Sequence, residues 1–300
     1  LIILLNSFFI NYMPELPEVE VVKRSLEKKI SKLIIKKVVI NTNKLRYSII
    51  KKEFNKIINK KILNIKRRSK YILIELNGIN SILVHLGMTG KFLIRKDNLK
   101  DYKTSFYYNL NSTVPKHNHI IFKLNNKTDL IYNDVRKFGF LKIIKTIDFN
   151  KNPHIKILGP EPLSKKFNKF YFKQMILNKI RKIKDVLMDQ KIVSGLGNIY
   201  VNEILFWSKI KPNRKVNSIN HTEIKKIIYY SKSILIKSIK DGGSSIKDFA
   251  NSNGKSGKFQ QKFTVYGREG KKCPNYKCQT LIKKINISNR ASFYCKNCQK

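Results

Sequence analysis

Cys273 and Cys278 are followed by Cys295 and Cys298, and the other 296 positions of the 300-residue chain hold no cysteine. This pattern constrains the fold more than any other stretch. One pair spaced Cys-x4-Cys and one spaced Cys-x2-Cys match the two knuckles of a closed, tetrahedral structural zinc site. Cysteines gathered at one end of a chain point to a metal rather than a disulfide framework, and so to a reducing, cytosolic compartment. Between the knuckles, 281–287 and 291–294 read as the strands of a hairpin, with Asn289 and Arg290 near its tip. An exposed arginine there is placed to meet a phosphate.

A different local signal opens the chain's main body, at Met13-Pro14-Glu15-Leu16-Pro17-Glu18-Val19-Glu20. Pro17 suits the first turn of a helix, and Glu18 and Glu20 complement its positive end. Val19, Val22, Leu26 and Ile30 continue at helical spacing. If Pro14 were the first residue, its secondary amine would be a nucleophile, with Glu15 and Glu18 beside it as acid–base groups. Dipole complementation alone also accounts for the two glutamates. The first twelve residues are apolar but too short to span a bilayer and lack a signal peptide's basic start. They read as an over-extended start, so residues 1–13 are expected to be absent from the working protein.

From 34 to 145 the pattern is short β-branched and aromatic runs, at 34–40, 62–66, 71–76, 81–86, 91–94, 119–124, 129–133 and 140–145. A helix is expected over 47–59, and 96–116 reads as a long surface loop. After the prolines at 153, 160 and 162 the period becomes helical, over 167–177, 184–190, 198–207 and 222–240. The expected fold is therefore α+β: an N-terminal β-sandwich over 14–147, a linker over 148–163, a helical unit over 164–262 and the zinc hairpin over 263–300. Ser194-Gly195-Leu196-Gly197-Asn198 opens a helix, and its backbone N–H groups either hold a phosphate or simply connect two helices. The polar stretch 251–262 is expected to be mobile.

Lys and Arg number 63 against 19 Asp and Glu, a formal charge of +44. A polyanionic partner, nucleic acid above all, fits that excess, although a lysine-rich coding bias contributes to it. Lys66-Arg67-Arg68-Ser69-Lys70 places Lys70 at a strand mouth. His85-Leu86-Gly87-Met88-Thr89-Gly90 makes a tight turn, and Asp134-Val135-Arg136-Lys137-Phe138-Gly139 offers a cation and an aromatic two residues apart.

Taken together with Leu-Gly-Pro-Glu-Pro-Leu at 158–163, Leu-Met-Asp-Gln-Lys at 187–191, Gly-Leu-Gly-Asn-Ile-Tyr at 195–200, Val-Tyr-Gly-Arg-Glu-Gly at 265–270 and Asn-Arg-Ala-Ser-Phe-Tyr-Cys at 289–295, these motifs resemble bacterial formamidopyrimidine-DNA glycosylase. The resemblance runs from Pro14 to Lys300. It implies a bifunctional repair enzyme that removes oxidised purines from damaged double-stranded DNA and cuts the abasic strand. On this resemblance Pro14 is the nucleophile, Glu15 the acid–base partner, Lys70 a proton donor in β-elimination and Arg290 the phosphate-binding residue of δ-elimination. His117, Arg136, Lys179 and Asn198 match DNA-contacting positions, and Met88, Arg136 and Phe138 match residues that fill the gap left by an extruded base. A helix–two-turns–helix unit, one structural zinc, no organic cofactor, a monomer and a cytoplasmic, nucleoid-associated placement are also implied. The first knuckle departs from the family's usual Cys-x2-Cys by two residues. The alternatives are an oxidised-pyrimidine glycosylase resembling endonuclease VIII, and a non-catalytic zinc DNA-binding protein; Leu16, Met88 and the Arg136–Phe138 pair favour the purine enzyme.

Overall fold

The computed structural model describes residues 13–96, 100–105, 113–243 and 263–300; the expectations for 1–12 and 251–262 lie outside them. Helix α1 (Leu16–Ile30) carries Pro17 in its first turn, and Val19, Val22, Leu26 and Ile30 are fully buried along one face. That face closes one end of a sandwich of two antiparallel sheets. The first sheet orders its strands β1 (Ile35–Ile40), β7 (Asn118–Leu124), β8 (Thr128–Asn133), β5 (Lys91–Lys96) and β6 (Lys100–Lys103). The second orders β2 (Ile62–Arg68), β3 (Tyr71–Leu76), β4 (Asn80–His85) and β9 (Phe140–Lys145). Ile65, Ile72, Ile74 and Val84 of the second sheet share one core with Phe92, Ile120, Phe122 and Leu130 of the first. Alternating apolar residues supply this core, as period-2 patterning requires.

Two local expectations change. Only α2 (Lys51–Asn55) is helical within 47–59. Tyr47 instead joins a ring cluster with Phe140 and His154, and Lys142 lies 3.8 Å over its ring. Within the expected loop at 96–116, β6 pairs with β5 from Leu93–Lys103 to Lys96–Lys100. That strand has no apolar alternation of its own; the β5 edge supplies its order through main-chain hydrogen bonds. Pro115–His117 forms a single 3-10 turn at the loop's end, and 97–99 and 106–112 lie outside the described residues.

The stretch from 146 to 164 is pinned rather than free. It contains the short helix α3 (Pro153–Lys156), capped by Asn152. Gly159 N–H donates to Gln190 O, and Pro160 O accepts from Ser194 N–H.

The helical unit contains α4 (Lys169–Ile176), α5 (Ile183–Met188), α6 (Asn198–Trp207) and α7 (His221–Lys240). Strands β10 (Lys283–Ile287) and β11 (Arg290–Tyr294) then form the expected hairpin, turned by Ser288 and Asn289, both with left-handed φ. One continuous core joins Phe172, Val186, Leu196, Ile204 and Ile227 of the helical unit to Val265, Ile282, Phe293 and Cys295. Glu203 ties the two parts: its buried carboxylate accepts from the backbone N–H groups of Thr264, Val265 and Tyr266 at 2.8, 3.0 and 2.9 Å. The segment that leads into the hairpin is thus anchored to α6. Among the described residues no helix is long and apolar enough to cross a membrane.

Candidate active site

The N-terminus of α6 is the meeting point of the two cores. The N–H groups of a helix's first turn lack partners within the helix and attract an anion. Here the anion is intramolecular: Glu15, 184 residues away in sequence, accepts from Ile199 N–H at 2.8 Å and Tyr200 N–H at 3.4 Å. The glycine turn at 194–198 therefore delivers its α6 N–H groups to a carboxylate rather than a phosphate. Its glycines are needed for that approach. Gly195 has φ +99°, and its carbonyl accepts from Leu16 N–H at 3.1 Å. A Cβ on Gly197 would stand 2.5 Å from Glu15 Oε1.

Pro14 is buried beside Glu15, with Met13 exposed outside it. Glu18 sets the start of α1 by accepting from Glu15 N–H at 2.9 Å, and Tyr200 Oη donates to Glu18 at 2.6 Å. Burial is the main reason the Glu15 carboxyl is pushed up to about 7; Lys70 opposes it, Glu18 adds to it, and the two α6 N–H groups moderate it. Such a group exchanges a proton near neutrality, as a general acid–base must.

Lys70 is delivered by the tight β2–β3 turn, where Ser69 has φ +56°. Burial holds its ammonium below the ordinary lysine value, against the pull of Glu15 and Glu18 and with the push of Arg290. A buried lysine facing carboxylates is a competent proton carrier. The turn itself is clamped. Arg67 donates to Glu20 at 2.7 Å and with both terminal nitrogens to Glu161 at 2.9 Å, while Ser69 N–H donates to Glu161. Arg68 reaches Ser194 Oγ and the Leu158 and Gly159 carbonyls. Arg67 and Arg68, read from sequence as part of a basic run, thus fasten the sandwich to the helical unit. Only the pairing of Glu161 with two distant arginines could have revealed this, and spacing does not encode it.

Asn198, first residue of α6, donates to Ala291 O at 3.0 Å, beside Arg290. Arg290 is exposed, and its charge acts on Lys70. Pro14, Glu15, Lys70, Asn198 and Arg290 are therefore brought to one place from four separate segments.

A second group forms at the edge of the sandwich. Arg136 lies over the Phe138 ring at 4.5 Å, and Phe138 is 46% exposed. Met88, half-buried, occupies the neighbouring turn. Buried Asp134 joins the two loops: it accepts from Thr89 Oγ1 at 2.5 Å, Tyr132 Oη at 3.2 Å and Gly139 N–H at 2.8 Å. Thr89 Oγ1 in turn accepts from Arg136 N–H at 3.0 Å. Sequence reasoning overlooked Thr89 and Asp134, although both lie inside the quoted motifs. His117 sits at the base of this group, its carbonyl accepting from Asp134 N–H. Its imidazole is kept below the usual histidine value by desolvation and by Lys116, His119, Lys91 and Lys137. Lys179 follows α4, half-buried, and among the described residues no hydrogen bond or ion pair joins its side chain to the others.

The four cysteine Sγ atoms lie within 4.8 Å of one another, a group able to hold a metal ion. Asn275 Nδ2 and Asn297 Nδ2 reach Cys298 and Cys278 Sγ at 3.3 and 3.4 Å, as amides that hydrogen-bond thiolate ligands do.

A β-sandwich joined to a helical unit and a four-cysteine hairpin, with a buried carboxylate and a buried lysine at the seam, defines a DNA-glycosylase-type fold. Residues 13–141 match the model of the formamidopyrimidine-DNA glycosylase N-terminal domain, and 158–250 match that of the formamidopyrimidine-DNA glycosylase H2TH domain. The formamidopyrimidine-DNA glycosylase of Rickettsia bellii (strain OSU 85-389) is 41% identical over 288 residues, covering 96% of this chain and all of the relative. That of Roseobacter denitrificans is 38% identical over the same shares. Among solved structures, Lactococcus lactis Fpg with an abasic-site DNA superposes at TM-score 0.82 with 33% identity, over 95% of this chain and 99% of that one. The wild-type L. lactis protein with an N7-benzyl-Fapy-dG DNA gives 0.82 and 34%, over 96% and 100%. The chain belongs to the formamidopyrimidine-DNA glycosylase family.

Proposed function

We propose that this protein excises oxidised purines, 8-oxoguanine and formamidopyrimidines, from duplex DNA and cleaves the resulting abasic strand by β,δ-elimination. The observation that carries the reading is the Glu15 carboxyl held on the α6 N-terminus, raised to about 7 and facing Lys70, next to Pro14. The acting form has Pro14 nitrogen as a free amine, and the family match begins one residue earlier, at Met13. The damaged nucleotide must leave the stack before its C1′ is reached. Met88, Arg136 and Phe138 then occupy the vacated space, and His117, Lys179 and Asn198 grip the backbone.

Pro14 nitrogen attacks C1′ and gives up its proton as the glycosidic bond breaks, and Glu15 assists both base loss and opening of the sugar ring by supplying a proton to the departing group. The iminium so formed acidifies the C2′ proton. Its removal expels the 3′ phosphate, with Lys70 serving the proton transfers. A second elimination expels the 5′ phosphate held by Arg290 and leaves a one-nucleotide gap. The new C1′–N bond replaces the glycosidic bond, the opening ring oxygen takes up a proton, and each phosphate leaves as one C–H proton is lost from the sugar, so no oxidant is required.

Cys273, Cys278, Cys295 and Cys298 fit one structural zinc. Sulfurs at about 2.3 Å from a tetrahedral centre lie about 3.8 Å apart, and the Cys273–Cys298 and Cys278–Cys295 Sγ distances are 3.8 and 3.6 Å. A disulfide would bring two sulfurs to about 2.05 Å. The ion would fix the hairpin that presents Arg290 and has no open position for chemistry. The protein would work in the cytoplasm, on the nucleoid, as a monomer.

Borohydride trapping on an 8-oxoguanine:cytosine duplex tests the reading. A covalent adduct that maps to Pro14 is expected. Binding of the duplex without any adduct, or an adduct on a lysine with Pro14 unmodified, would overturn it.

A further inference from the structure

Among the described residues Lys184 is the most deeply buried cation. It lies in the first turn of α5, shows no exposed surface and ranks with the phenylalanines among the largest fully buried side chains. Lysines are almost never buried to this degree without a paired carboxylate. Among the described residues no carboxylate lies within ion-pair distance of its ammonium. Its Nζ donates instead to Ser292 Oγ at 2.6 Å and to Ala291 O at 2.9 Å, with Arg290 O at 3.4 Å. All three partners lie at the start of β11, directly after the Ser288–Asn289 turn.

The same short stretch is held from α6. Asn198 shares the Ala291 carbonyl at 3.0 Å, and Asn202 accepts from Phe293 N–H at 2.7 Å. Three helix side chains thus set the height of the hairpin over the helical unit, and Lys184 takes the backbone nearest Arg290. An apolar side chain of equal length would fill the space without desolvating a charge. What the ammonium adds is three directed donors, and all are spent on 290–292. Burial brings Lys184 down to about 8, with Asp185 and Glu15 resisting and Arg290 assisting. A charge is therefore retained at a cost where only hairpin geometry benefits.

We propose that Lys184 is a positioning residue for the second elimination: by holding the Arg290–Ser292 backbone it sets where the Arg290 guanidinium meets the departing phosphate, and so governs partition between β- and δ-products. Lys184, with no exposed surface, has none to offer DNA or the reacting sugar. The inference rests on the role given to Arg290 above.

The test uses a preformed abasic duplex in single turnover, with β- and δ-products resolved on a denaturing gel and Schiff base measured separately by borohydride trapping. Lys184→Met should leave trapping unchanged and lower the δ/β ratio about tenfold, the scale set by losing charge-assisted hydrogen bonds. Ser292→Ala removes one of the three acceptors without altering any charge and should shift the ratio in the same direction by less; it decides the matter if Lys184→Met fails to fold. Arg290→Ala is the reference. If it lowers the ratio while Lys184→Met and Ser292→Ala leave it intact, the proposal fails alone. A fall in trapping parallel to the fall in δ-product also overturns it, because that marks general structural loss. If Arg290→Ala leaves the ratio unchanged, the role of Arg290 fails and this inference falls with it.

Discussion

Gly197→Ala isolates the contact on which the site depends. Gly197 has extended backbone, with φ −139° and ψ −164°, so alanine is admitted there without torsional strain. The added Cβ would nevertheless stand 2.5 Å from Glu15 Oε1 and 2.8 Å from Cγ, with Cδ closer still, where ordinary contact begins at 3.4 Å. Glu15 must retreat by about 1 Å. Its 2.8 Å bond from Ile199 N–H does not survive that retreat. The structural cost is about 1–3 kcal/mol, as for other overpacked core positions. A displacement of about 1 Å in a catalytic group lowers rate about a hundredfold. Single-turnover release of 8-oxoguanine from a duplex measures the rate, and urea unfolding measures the stability. The decisive comparison adds Gly197→Ala to Glu15→Gln. The stability cost should persist in the double variant because glutamine has the same shape. The hundredfold rate loss should not recur, because Glu15 has already been removed as an acid–base group. Equal rate losses in both backgrounds would refute the reasoning.

The remaining expectations follow from other contacts. Glu15, raised by burial to about 7, should supply its proton below that pH, so base release should decline as pH rises through about 7, and Glu15→Gln should abolish that limb. The linkage has a definite sign: the folded state holds the Glu15 proton more tightly than the unfolded chain. Its contribution is therefore complete below about pH 4.5 and lost by about 7, a slope totalling about 3 kcal/mol that Glu15→Gln should flatten in urea titrations. Thr89→Val leaves Asp134 short of a donor and Arg136 N–H without its acceptor. Excision from duplex DNA should slow about tenfold while a lesion in a single strand is unaffected, and equal slowing on both would reject the loop-spacing role. Chelation should release one zinc per chain and abolish duplex binding, restored by zinc alone; full binding by metal-free protein would count against a structural role for the site.

The sequence by itself determined what depends on near neighbours. Short β-branched and aromatic runs at 71–76 and 129–133 specify strands, because such side chains fit a pleated, buried surface. The spacing at Val19, Val22, Leu26 and Ile30 specifies an α1 buried on one side, and Cys295-x2-Cys298 specifies two thiols close enough to serve one metal ion. The motifs at 14–20, 195–200 and 289–295 marked candidate site residues one segment at a time. Tertiary structure alone decided what each charge faces. Glu15, rather than a phosphate, occupies the α6 N-terminus because α1 packs there. Arg67 and Arg68 became internal fasteners because 158–161 and Ser194 lie against them. Lys184, one lysine among many in the sequence, became a buried support because β11 closes over it. A β-strand or helix needs only its own pattern to be legible, whereas the worth of a charge depends on desolvation and on partners brought from elsewhere in the chain.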